Sequence, residues 1–301
     1  MKLITPIEMT NDQLVSSSLS EDDHDEWAVG TTYDAEDRVI VTGTTDKVYE
    51  SVQGSNTGNN PVTDDGTWWV EISATNRWKA FDKKVLDQAT GDAPLSYVIQ
   101  PNTLVQGIAI LNPRASILNI KIDDLSDTEV YNKTFDLAGA DEIVDWLSFF
   151  TVDLDYKDSL VVDGVPAFPE YKITLTFGQF GENASVGEIA LGRITDLGRL
   201  ISGSSSGIQD FSEKTRDDFG NATITERASI DEITYLFEIP AKSQPKVKRA
   251  LTRLRATPVV YFGGYGQNAL GTTVYGFFRD FDIPIVGAWD ATVRLEVEGL
   301  T

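Results

Sequence analysis

A nucleophilic triad needs a histidine held by an acid. The chain has one histidine, His24, inside the acidic run 21–26 of a polar segment, which is no setting for a held catalytic base. Glycoside hydrolysis needs two carboxylates about 5–10 Å apart across a cleft. With 47 acidic residues some such pair always exists, so the count points nowhere. The densest groups are Asp123, Asp124 and Asp127, and Asp153, Asp155 and Asp158. They offer the hard oxygens that calcium prefers, but neither matches a twelve-residue loop with an internal glycine and a terminal glutamate. They read as solvated turn carboxylates. Gly263-Gly264-Tyr265-Gly266 follows a strand but opens no helix and holds no lysine, so it is a turn and not a phosphate loop. The expectation is a protein that is not an enzyme, with no catalytic residue, no metal site and no cofactor.

Residues 242–255 are a different matter. Lys242, Lys246, Lys248, Arg249, Arg253 and Arg255 make this stretch the one positive patch of a chain whose net charge is −22. It is read either as a solvated face balancing neighbouring acids or as a docking surface, through Lys246, Arg249 and Arg253, for an acidic patch on another subunit or another copy of the chain. The acidic surplus itself repels nucleic acid and anionic membrane, so neither is expected as a partner. It suits a basic partner, and equally a salt-adapted host.

The elements that must position these groups are mostly strands. Residues 171–177 alternate, with Tyr171, Ile173, Leu175 and Phe177 on one face, the pattern of a half-buried antiparallel strand. Strands are also expected at 116–122, 186–192, 259–262, 273–278 and 292–297, and 230–239 reads as a strand or as a short helix leading into one. Two helices are expected. One is short, over 77–88, capped by Asn76, with Trp78, Phe81 and Val85 on one face. The better one is 243–255, capped by Ser243, with Val247, Ala250, Leu251 and Leu254 at helical spacing.

A length of 301 residues suits about two or three domains. Residues 1–25 read as an arm with an apolar tip, docked on another part or frayed. Residues 26–73 form a small module that must cluster Trp27, Tyr33, Tyr49 and Trp69 to stay folded without disulfides. Residues 77–199 are a jelly-roll-like β-sandwich, 201–207 a Gly/Ser-rich linker or loop, and 200–301 an α+β or β-rich unit. The fold class expected is mainly β. No run of about 18 apolar residues would span a membrane, and the first residues carry no secretory leader. The absence of cysteine fits folding in a reducing cytoplasm.

Trp27, Gly30, Tyr33, Asp37, Val39, Tyr49, Gly58, Pro61 and Trp69 stand in an order that resembles the chitin-binding type of carbohydrate-binding module. The resemblance covers about one sixth of the chain. It implies a three-stranded, aromatic-cored fold and a sugar face at Tyr33, Asn60 and Trp68. Family members carry an exposed tryptophan just before the loop proline, stacked on the sugar. Here that position is Asn60, which only hydrogen-bonds. Trp68 would supply a replacement plate, because neighbours in a strand point to opposite faces and Trp69 belongs to the core. Otherwise Trp68 packs on a neighbouring domain.

Two further resemblances follow. The run 146–150, a lysine-bearing strand and Gly187-Glu188-Ile189-Ala190-Leu191-Gly192 are similar to galactose-binding-like jelly rolls. Asp210-Phe211-Ser212, Asp218-Phe219-Gly220, the run 254–259, Tyr275-Gly276-Phe277-Phe278 and the ending 295–300 resemble C-terminal domains of tailed-bacteriophage tail proteins. That last resemblance implies a virion structural protein of the tail tip, baseplate or fibre-attachment region. Such a protein is made in the host cytoplasm, forms a homo-oligomer and assembles with other tail proteins, and its N-terminal module either faces host-surface polysaccharide or serves as a spacer. The alternative is a free carbohydrate-binding protein, or an accessory module of a polysaccharide-degrading system.

Overall fold

Alternation decides the clearest strand. Along Tyr171–Gly178 the residues Tyr171, Ile173, Leu175 and Phe177 are buried and their neighbours are half-exposed, as a period of two requires. In this computed structural model, which describes residues 1–139, 145–146, 156–166, 170–178, 183–216, 219–263, 271–285 and 290–300, that strand is the centre of a five-stranded sheet. The order is Glu129–Asp136, Ile117–Asp124, Tyr171–Gly178, Leu95–Ile99, Leu14–Ser17.

A ten-stranded antiparallel sheet carries the rest. Its order is Ser159–Asp163, Gly107–Leu111, Glu188–Asp196, Lys2–Pro6, Val259–Phe262, Thr273–Asp282, Ala291–Gly299, Ser229–Ile239, Arg199–Leu200, with Ser205–Asp210 also paired to Ser229–Ile239. At one end Ile108, Ile110, Leu160 and Ile189 meet Leu118, Ile120, Ile173 and Leu175 of the five-stranded sheet in one core. That is the expected sandwich, and the fold is mainly β. At the other end the helix Gln244–Arg253 lays Val247 and Leu251 against Tyr235, Phe237, Val293 and Leu295. Among the described residues no helix is long and apolar enough to cross a membrane.

The N-terminal module is the expected one. Its sheet runs Arg38–Val41, Lys47–Ser51, Trp69–Ala74. Tyr33, Val39, Tyr49 and Trp69 form the core, with Trp27, Val41 and Trp68 packed against it. The Tyr33 and Trp69 rings meet edge-on, with centroids 5.1 Å apart.

Several expectations need correction. Residues 1–25 are not an arm. Lys2–Pro6 is an interior strand of the large sheet, paired through Ile4 with Ile194 on one side and Val260 on the other, and Leu14–Ser17 is an edge strand of the five-stranded sheet. Leu3 and Ile4 are both fully buried, because both faces of that strand are covered; a short apolar run with no period reads the same loose or buried. The break expected near residue 200 is not a break in the sheet, because Lys2–Pro6 joins strands from either side of it. Within 201–207 the linker ends early: Ser205–Asp210 is a strand. The helix expected at 77–88 is one 3-10 turn, Lys79–Phe81. Trp78 and Phe81 do share a face, with ring centroids 5.9 Å apart, but Lys83 adopts φ 68° while its N–H is held by Glu188. Ser243 makes no side-chain cap; its own backbone is already helical (φ −89°, ψ −13°), whereas a capping residue is extended. Residues 147–150 of the jelly-roll resemblance, Asp153, Asp155, Asp218 and Gly264–Gly266 lie outside the described residues.

Candidate functional site

Three residues were expected to form a sugar face, and they differ in burial: Tyr33 is buried, Trp68 half-buried and Asn60 exposed. Tyr33 is a core residue, 8% exposed, whose hydroxyl accepts the Ala28 N–H at 2.8 Å. It offers nothing to a ligand, which corrects that expectation. Its ring is needed inside because a module this small has few large side chains with which to exclude water. Asn60 is exposed on the loop, and its Oδ1 accepts the Val62 N–H at 2.9 Å. Trp68 is half-buried and leans on its own module's cluster. Asp64 holds this corner together. Its Oδ2 accepts the N–H groups of Gly66, Trp68 and Trp69 at 2.9, 3.0 and 3.0 Å.

The basic helix stands as expected. Lys246, Arg249 and Arg253 are exposed, as are Lys242, Lys248 and Arg255. None of the six forms an ion pair with a described residue. The apolar side of the helix puts its opposite side in water, which is why the cations gather there.

The Asp123–Asp127 group is a turn. Asp124 Oδ1 accepts the N–H groups of Ser126 and Thr128 at 2.8 and 2.9 Å. Asp123 pairs with Lys121 and Asp127 with Lys172.

A different place gathers unsatisfied polar groups. The module docks on the body through Asp46, which is 4% exposed. Its Oδ1 takes Asn11 Nδ2 at 2.9 Å and its Oδ2 takes Trp78 Nε1 at 3.1 Å. Beside this joint lies a cleft of about 440 Å³, within the usual range for a ligand pocket. The module's Thr44–Lys47 stretch, the 6–10 segment and the turn at 82–84 form its walls, with Glu188 and Tyr275 of the large sheet behind them.

Glu188 is 3% exposed and accepts the Lys83 N–H at 2.9 Å. Burial raises its carboxyl to about 8, so it is mostly neutral at pH 7. Asp82 gives one oxygen to the Lys84 N–H at 2.8 Å. Its Oδ2 is buried without a hydrogen bond, and burial raises the carboxyl to about 6. Tyr275 is 3% exposed, and its hydroxyl is buried beside the Glu188 carboxyl. Burial pushes that phenol upward, with the nearby carboxyls adding to the shift. On the rim Lys47 pairs with Glu71 at 2.7 Å and Lys83 with Glu8 at 3.2 Å, and Lys84 lines the cleft close to Asp82.

Sequence reading missed this cluster. One local signal existed: Glu188 is the lone carboxylate in the apolar strand sequence 186–192. Nothing local marks Asp82 or Tyr275. Compared with known proteins, the chain matches no family model and no curated sequence.

Proposed function

We propose that the protein is a structural component of a bacteriophage tail, working by assembly, with its N-terminal module carried as a spacer or as a contact for host-surface glycan. One observation carries the assembly reading: six exposed cations, four on the helix Gln244–Arg253 and Lys242 and Arg255 flanking it, have no ion-pair partner among the described residues of a chain whose net charge is −22. Surplus acid on a second copy of the chain is the complementary surface, and charge of opposite sign orients such an encounter. A second feature supports the same reading. Ser205–Asp210 and the ribbon Glu213–Arg216/Ala222–Thr225 stand clear of the core, with Ile208 68% and Ile224 66% exposed. A two-stranded ribbon is marginal alone in water and gains by packing on a neighbour. The tail assignment itself rests on the resemblance of residues 200–301.

The test is the native molar mass by light scattering, with a pull-down from a lysate of phage-infected cells. A defined oligomer that retrieves virion tail proteins supports the reading. A monomer that retrieves only cell-wall or capsular polysaccharide overturns it and favours a free carbohydrate-binding protein.

A further inference from the structure

Two stretches of the chain carry charge of one sign only. Residues 242–255 hold six cations and no acid, and residues 22–37 hold seven carboxylates and no Lys or Arg. All six cations are exposed, and so are six of the carboxylates, Asp22, Asp25, Glu26, Asp34, Glu36 and Asp37. None of these groups forms an ion pair with a described residue, whereas thirteen Lys and Arg residues elsewhere in the chain do.

The fold gathers the acidic stretch at one edge of the module. The Ile40 N–H donates to the Asp25 carbonyl and the Trp27 N–H to the Ile40 carbonyl, both at 2.9 Å. The segment 25–27 therefore runs beside Arg38–Val41 and parallel to it, on the side away from Lys47–Ser51. The turn 34–37 leads into the same strand, and the Asp37 carboxylate holds it by accepting the Asp34 N–H at 2.7 Å. Both halves of the stretch thus come to the outer side and the start of one edge strand. The cations stand elsewhere. Their helix packs on Tyr235, Phe237, Val293 and Leu295, whereas the module joins the body through Asp46, Asn11 and Trp78. Complementary faces left unpaired within one chain are free to pair between two.

We propose that the basic helix of one copy docks on the acidic edge 22–37 of a second copy's module. This contact names the partner surface for the assembly proposed above and rests on that reading. Its two surfaces differ, so it runs head to tail and either closes into a ring or continues as a filament. Exposed ion pairs are weak singly and screened by salt, so the contact forms through many pairs together and loosens as salt rises.

Sedimentation velocity on the full chain, at low and high salt, tests it with two charge-reversed variants. The helix variant carries Lys246→Glu, Arg249→Glu and Arg253→Glu. The edge variant carries Asp22→Lys, Asp25→Lys and Glu36→Lys. All six side chains are exposed, so both variants melt close to the parent. The expected result is self-association of the parent that weakens with salt. Each variant alone associates about tenfold or more weakly, because like charges then face each other. A one-to-one mixture of the two variants associates again, since each offers the face that the other needs. Three results overturn the proposal: a parent that is monomeric at low salt, an edge variant that associates like the parent, or a mixture that stays dissociated. The second leaves the assembly reading standing, with the helix on some other surface. A monomeric parent that still retrieves tail proteins leaves the tail reading standing without a contact between copies, and one that retrieves none ends both.

Discussion

The carboxyl of Glu188 accepts the backbone N–H of Lys83 at 2.9 Å, across 105 positions of sequence. This bond ties the turn after Trp78 to an interior strand of the large sheet. It also encloses a carboxyl where ionisation is disfavoured, and a pH dependence follows.

In an unfolded chain Glu188 and Asp82 release their protons near 4.5 and 3.8, whereas the folded chain holds them until about 8 and about 6. Between those values the folded state binds more protons, so stability falls as pH rises. The contribution is complete below about 4 and gone above about 8. Urea denaturation at several pH values will show this slope. Glu188→Gln keeps an acceptor for the Lys83 N–H and should flatten it, gaining on the order of 2–4 kcal/mol relative to the parent at the alkaline end. Equal slopes in parent and variant would mean that Glu188 ionises normally.

The N-terminal strand is expected to behave as core. Leu3→Ala should cost about 2–5 kcal/mol, the range for a large-to-small change in a packed interior. Gly192→Ala should do comparable harm for a different reason. A Cβ there would strike the Thr5 carbonyl of the paired strand. Calorimetric melting reads both, and an unshifted transition for Leu3→Ala would restore the loose arm.

Within the module, Trp69 and Trp68 should separate sharply. Trp69 is 2% exposed and its Nε1 donates to the Asn59 carbonyl at 2.9 Å. Trp69→Ala should cost about 3–5 kcal/mol and unfold the module. Trp68 is only half-buried, so Trp68→Ala should leave the module folded. Amide exchange over residues 26–74 distinguishes the two, and equal protection in both variants would contradict the packing described.

Assembly should depend on the helix and not on fold stability. Reversing Lys246, Arg249 and Arg253 to Glu changes exposed side chains, as does Ile208→Asp on the open strand. Each substitution should stay within about 0.5 kcal/mol of the parent in stability. Light scattering should nevertheless show the proposed oligomer lost in these variants, and lost in the parent as salt rises. Unchanged molar mass in both variants would remove the helix and the open strand from the assembly.

Much of the β architecture was legible because alternation is local. The strand around Tyr171–Phe177, the apolar stripe of Val247 and Leu251, and the cluster of Tyr33, Tyr49 and Trp69 all follow from periods of two or 3.6 or from the need of a small module to pack its aromatics. Length was harder. The apparent helical spacing of Trp78, Phe81 and Val85 gave one turn only, because a distant carboxyl takes the Lys83 N–H and the backbone leaves the helical region there.

What the amino-acid sequence determined by itself was the period of each segment, the acidic balance and the composition of the module, since these depend on neighbours in the chain. Tertiary structure alone decided that Lys2–Pro6 lies between Glu188–Asp196 and Val259–Phe262, and that Asp82, Glu188 and Tyr275 share one cleft. Strand pairing and desolvation are set by what comes to lie alongside a residue from far away in the chain, and no local pattern encodes that.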